Sequence, residues 1–261
     1  MRVRKIYVDA PHGQIHCRTC GDGRPLILLH QSPLSSRQFE AVLPRLAAAG
    51  FQVVAMDLPG FGMSDPLPGP PTLTDYSSSV EAICENFGFE RVALLGHHTG
   101  AVIAAAFVAR PHEQVERLIL NGFPLLTGEE RQFFRSFEFG PITPRPDGSH
   151  LIASWQARLR ATPGWSDLAA MHRYVVEGLL ASETNWLAFP LIVEADLASL
   201  LDAIAVPTLL LTNTGEDLYA ATRRAAARHP EFAYVELEGG THDIVDEQPE
   251  AWAAAVLDFL G

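Results

Sequence analysis

The chain has 261 residues, 48% of them hydrophobic and 19% charged, a composition that fits a folded globular protein and excludes the disordered and fibrous classes. Its length suits one domain carrying an inserted subdomain. A formal net charge of −12 repels phosphate backbones and anionic lipid headgroups, so neither nucleic acid nor a membrane surface is an expected partner.

The opening segments RVRKIYVDA and GQIHCRTC, separated by Pro11 to Gly13, read as a β-hairpin. Basic residues at the start have no apolar run of signal-peptide length behind them, and the expected location is the cytoplasm. Cys17 and Cys20 form a C-x-x-C without a second pair, which reads as two small residues on opposite faces of a strand. PLILLH (25–30) is a buried strand, SSRQFEAVLPRLAAAG a helix ended by Gly50, and FQVVAMD (51–57) the next strand. After a Pro/Gly-rich loop comes a helix from Asp75 to Gly88, then the strand RVALLG (91–96), the helix AVIAAAFVARP stopped by Pro111, and the strand VERLILNG (115–122). The next clear strand, VPTLLLTN (206–213), begins more than 80 residues later, too far for a simple crossover. Residues 124–205 are therefore expected to form a helical cap on a core made of 1–123 and 206–261. The helix LYAATRRAAARH, the strand FAYVELEG, the loop GTHD and the helix PEAWAAAVLDFLG complete the chain. Strands alternating with helices predict an α/β fold with a mostly parallel eight-stranded sheet.

Four landmarks stand in order along this pattern: LLHQSP (28–33), DLPGFGMSD (57–65), GHHTG (96–100), and the late pair TGEDLY (214–219) with GGTHD (239–243). On these the chain resembles the α/β-hydrolase superfamily from its first hairpin to its last helix. The resemblance implies that Gly96 and Gly100 frame a strained strand-to-helix elbow, at whose apex the usual nucleophilic serine is replaced by His98. It also implies an oxyanion hole from the backbone amides of Ser32 and Thr99. Gln31 takes the place of a usual glycine, where it would crowd or hydrogen-bond a substrate, and His30 beside it has either a structural or a pocket role. His242 stands where the family keeps its base. The carboxylate behind it is Asp217 or Glu216, with Asp217 preferred because its shorter side chain better suits a fixed bond to an imidazole. Asp57, Asp65 and Ser64 read as turn-formers, and Asn121 cannot serve as an acid.

The resulting expectation is a hydrolase of small apolar esters or related carbonyl compounds with an atypical His98-His242-Asp217 triad. His98 would act either as a covalent nucleophile or as one of a pair of general bases. The alternative is a cofactor-free lyase, decarboxylase or oxygenase that uses the pair as acid and base. A metal is disfavoured, because the triad's carboxylate would sit behind His242 and leave too few ligands. A degenerate ligand-binding module is the remaining alternative, against which stand the retained His242, its acid and both glycines. Phe123, Trp155, Trp186 and other cap aromatics are expected to line an apolar pocket, with Arg158 and Arg160 read as solvent-facing helix residues and, as the alternative, as binders of a substrate carboxylate. No organic cofactor is expected, the partner is a small-molecule substrate, and both monomer and homodimer remain open.

Overall fold

A computed structural model of the chain describes residues 1–110, 114–136 and 140–261. Strands β1 (Arg4–Ala10) and β2 (Gly13–Cys20) pair antiparallel, and β2 pairs antiparallel with β4 (Phe51–Met56). From there β3 (Arg24–Leu29), β5 (Val92–His97), β6 (Val115–Asn121), β7 (Thr208–Asn213) and β8 (Ala233–Leu237) run parallel, giving the order β1-β2-β4-β3-β5-β6-β7-β8. The central strands are continuous apolar runs because both faces are covered, so no period-two alternation survives in them.

One layer of helices begins with α1 (Leu43–Ala48), while α2 (Leu73–Phe87) and α3 (Thr99–Val108) cover the opposite face. The helix expected across 35–50 is divided into a 3-10 turn, Ser36–Phe39, and α1, whose first turn holds Pro44, a residue that cannot continue a helix begun upstream. Thr72 and Asp75 form a reciprocal capping box that starts α2 two residues before the expected Asp75, and Gly88 ends it at φ +65°. Helix α3 is apolar on all sides and buried on all sides, and it closes at Val108; the expected stop, Pro111, lies outside the described residues. Cys17 and Cys20 are buried in the cores on opposite faces of the sheet.

Between β6 and β7 the described chain is helical: α4 (Gly128–Arg135), α5 (Ser149–Ala161), α6 (Leu168–Leu180), α7 (Ala188–Glu194) and α8 (Leu197–Asp202). These helices are tied to the sheet by polar contacts. Ser35 bonds Glu177 at 2.8 Å, Arg173 reaches Asp246 at 2.6 Å, and the Thr184 hydroxyl donates to the Gly60 carbonyl at 2.7 Å. Helix α9 (Tyr219–Arg228) follows β7, and the short α10 (Ile244–Glu247) and α11 (Pro249–Leu260) follow β8. Among the described residues no helix is long and apolar enough to cross a membrane.

Candidate active site

The C-terminal ends of the parallel strands meet beneath the helices of 128–202. His98 stands there between β5 and α3 with φ +48° and ψ −106°, a conformation that costs a non-glycine residue on the order of 1–3 kcal/mol. The glycines around it are required by contact. A Cβ on Gly96 would overlap the Gly100 carbonyl, and one on Gly100 would overlap the Leu29 carbonyl of the neighbouring strand. The tight strand-turn-helix therefore holds the imidazole above the sheet edge, where it lines a cavity of about 440 Å³.

The Nε2 of His98 lies 2.6 Å from the Glu216 carboxylate, which is fully buried and also accepts the Thr212 hydroxyl. The carboxylate accepts, so the proton sits on Nε2 and the ring's lone pair is on Nδ1. Gly122, at φ +65°, makes room for this pair: a Cβ there would run into the His98 ring and the Glu216 carboxylate.

His242 is held differently. The Arg158 guanidinium, from α5, donates to its Nε2 at 3.2 Å, which makes Nε2 the acceptor and leaves the proton on Nδ1. That nitrogen is 3.7 Å from Asp217, a carboxylate with 76% exposure whose titration the neighbouring His242 holds below the ordinary range. Arg158 also pairs with buried Asp243, whose other oxygen accepts the Gln31 amide at 2.8 Å. Arg158 is thus buried at the site, where the sequence placed it in solvent. The rings of His98 and His242 are 6.2 Å apart between centroids, and no hydrogen bond joins them among the described residues. Glu216 and Asp217, which the sequence set against each other as partners of one histidine, each face a different one.

The Ser32 amide points at the Thr99 hydroxyl over 3.3 Å, and Thr99 opens α3, where the first amides of a helix have no internal acceptor. Gln31 and Trp186 line the cavity with Pro124, Phe134 and Phe189. Three expected lining residues do not. His30 is fully buried, bonded to the Gln31 carbonyl and the Leu58 amide, and burial pushes its imidazole below the ordinary value. Phe123 is buried in the core under the site, and Trp155 sits half-buried on α5 away from the lining. Asp57 binds the Ser36 and Met63 amides and His16; Asn121 bonds Trp252, so both hold structure. Sequence reading missed Gly122, Thr212 and the role of Arg158. Only Gly122, a glycine directly after a strand, left a signal.

His97, His98 and Glu216 bring three potential ligand atoms within 4.8 Å of one another. Gln38 sets the tautomer of His97. Its Oε1 accepts the Gln31 amide at 3.0 Å, so its NH₂ faces His97 Nδ1 and the His97 proton is on Nε2. In this tautomer His97 Nε2 carries the proton, while His98 and Glu216 share their hydrogen bond. Burial holds His97 well below the ordinary histidine value, as suits a neutral ring.

The family model described as alpha/beta hydrolase fold matches residues 24–249. A haloalkane dehalogenase of Mycobacterium marinum is 32% identical over 163 residues, covering 58% of this chain and 53% of that protein. A 2-hydroxy-6-oxononadienedioate/2-hydroxy-6-oxononatrienedioate hydrolase of Pseudomonas putida is 35% identical over 126 residues, covering 46% and 43%. The chain spans about half or less of the length of these relatives. An epoxide hydrolase from an endophytic Streptomyces superposes with a TM-score of 0.80 at 20% identity, covering 99% of this chain and 95% of that one, which shows a shared fold. With its sheet order, its elbow glycines and this match over most of its length, the chain belongs to the α/β-hydrolase fold family.

Proposed function

We propose that this protein hydrolyses a small, largely apolar ester or related carbonyl compound, with His98 as a general base that activates water. The observation that carries the reading is the buried Glu216 carboxylate on His98 Nε2. A carboxylate behind an imidazole fixes its tautomer and stabilises the imidazolium formed when the other nitrogen takes a proton. Water loses a proton to His98 Nδ1 as its oxygen bonds to the carbonyl carbon. The carbonyl oxygen becomes an oxyanion held by the Thr99 amide and by the Ser32 amide, which exchanges the Thr99 hydroxyl for it. On collapse the bond to the leaving oxygen breaks, and His98 returns the proton to it. His242 and Asp217 line the same cavity, with Arg158 behind His242.

The imidazole at an apex without hydroxyl or thiol also favours one second reading, in which the same base removes a proton from a bound carbonyl compound in lyase or oxygenase chemistry. Turnover of activated esters in ¹⁸O-labelled water tests the first reading, with intact protein mass recorded during turnover. Label in the acid product without an acyl adduct supports it. An adduct on His98 replaces the general base with a covalent nucleophile, and product free of label supports the second reading.

A further inference from the structure

Behind the cavity that His98 lines lies a second chamber of about 780 Å³, between α5, α6 and the segment around 141–145. The two chambers share Pro33, Ile142 and Gly178 as common walls. The second chamber is mostly apolar, yet its charged and ionisable lining is Arg145, His150, Arg158 and Tyr174, with no aspartate or glutamate among the described residues. Three of these groups have an acid at hand, since Arg158 pairs with Asp243, Tyr174 bonds Asp246 and Asp147 lies near His150, which leaves the Arg145 guanidinium as the lining cation without one among the described residues.

Two of these groups keep a donor available. The Arg145 backbone amide donates to His150 Nδ1 at 3.1 Å, so that nitrogen is an acceptor and the His150 proton is on Nε2. No ion pair or hydrogen bond occupies the Arg145 guanidinium among the described residues. Arg158 turns its two terminal nitrogens toward His242 and Asp243, while its Nε–H is buried without a partner.

We infer that the substrate of the His98 site carries a carboxylate, set off from the reacting carbonyl by an apolar spacer, and that the second chamber receives this carboxylate on the Arg145 guanidinium and the His150 Nε2–H. The inference rests on the hydrolase reading for the reaction, but the anion preference is measurable without turnover. Hexanoate and hexanamide have the same length and differ in charge. Titrated calorimetrically into the wild-type protein, hexanoate binds about tenfold more tightly than hexanamide, the return from one charge-assisted hydrogen-bonded contact. In Arg145→Gln and in Arg145→Gln/His150→Ala the preference falls toward unity. Arg145 is exposed, so the single variant keeps the fold. Absence of saturable hexanoate binding, equal binding of the two probes, or a preference that survives the double variant overturns the inference. In a second arm, mono-4-nitrophenyl adipate is compared with 4-nitrophenyl hexanoate. The ratio of their kcat/KM values exceeds one in wild type and drops about tenfold in Arg145→Gln. If neither ester is turned over while the hexanoate preference holds, the ester-hydrolase reading fails and the anion chamber stands.

Discussion

The elbow histidine His98 and the buried Glu216 share a hydrogen bond of 2.6 Å across the mouth of the sheet, and the neighbouring Asp217 faces His242 instead. Two adjacent acids are thereby assigned to two histidines of opposite tautomer. Glu216→Gln should lower kcat/KM for an activated ester by roughly 10²–10⁴-fold, whereas Asp217→Asn, at an exposed carboxylate, should change it by less than about fivefold. Steady-state kinetics on both variants checks the contrast. Equal losses would remove the special position of Glu216.

Gly122 lies against both members of that pair. Gly122→Ala should depress activity by about 10²-fold or more, because the added Cβ displaces the His98 ring and the Glu216 carboxylate. Gly148→Ala is the control, since Gly148 has a similar φ of +72° and open space around it. Both should lose about 1 kcal/mol of stability from the backbone alone, and only the first should lose activity. Thermal melts and kinetics on the two variants separate strain from contact.

Arg158 ties α5 to the site. Arg158→Ala leaves Asp243 with the Gln31 amide but without its cation, and is expected to cost about 3 kcal/mol, visible as a lower urea midpoint. It also frees His242 Nε2. A midpoint within experimental error of wild type would show that Asp243 needs no cation.

Asp57, which does not line the cavity, gives a pH signature of its own. Burial alone would raise its pKa, but the His16 bond and the Ser36 and Met63 amides outweigh burial and bring it to about 2. Because the folded value lies below the unfolded value of about 4, the unfolded chain binds more protons in that interval and stability falls with falling pH. The contribution, about 2 kcal/mol, is fully present above about pH 4 and is lost toward about pH 2. Denaturant unfolding of wild type and Asp57→Asn should therefore show a stability gap at neutral pH that narrows on acidification. A gap independent of pH would contradict the assignment.

Much of this was legible in the chain. The sheet could be read because its central strands are unbroken apolar runs bounded by glycine and proline, and the elbow because Gly96 and Gly100 bracket it at fixed spacing. What stayed hidden depends on which way a side chain turns. Glu216 and Asp217 are one residue apart, and only the loop's path after β7 buries the first and exposes the second. Arg158 looks like any arginine on a solvent-facing helix until α5 is laid over Asp243. His30 and Phe123 sit at the right strand ends but point into the packed interior, where sequence position alone cannot separate lining from support.

The most direct measurement is kcat/KM of His98→Ala on an activated ester, with a melting temperature taken to confirm the fold. Loss of the base should lower it by about 10³-fold or more. Activity within about threefold of wild type would contradict the central role given to His98.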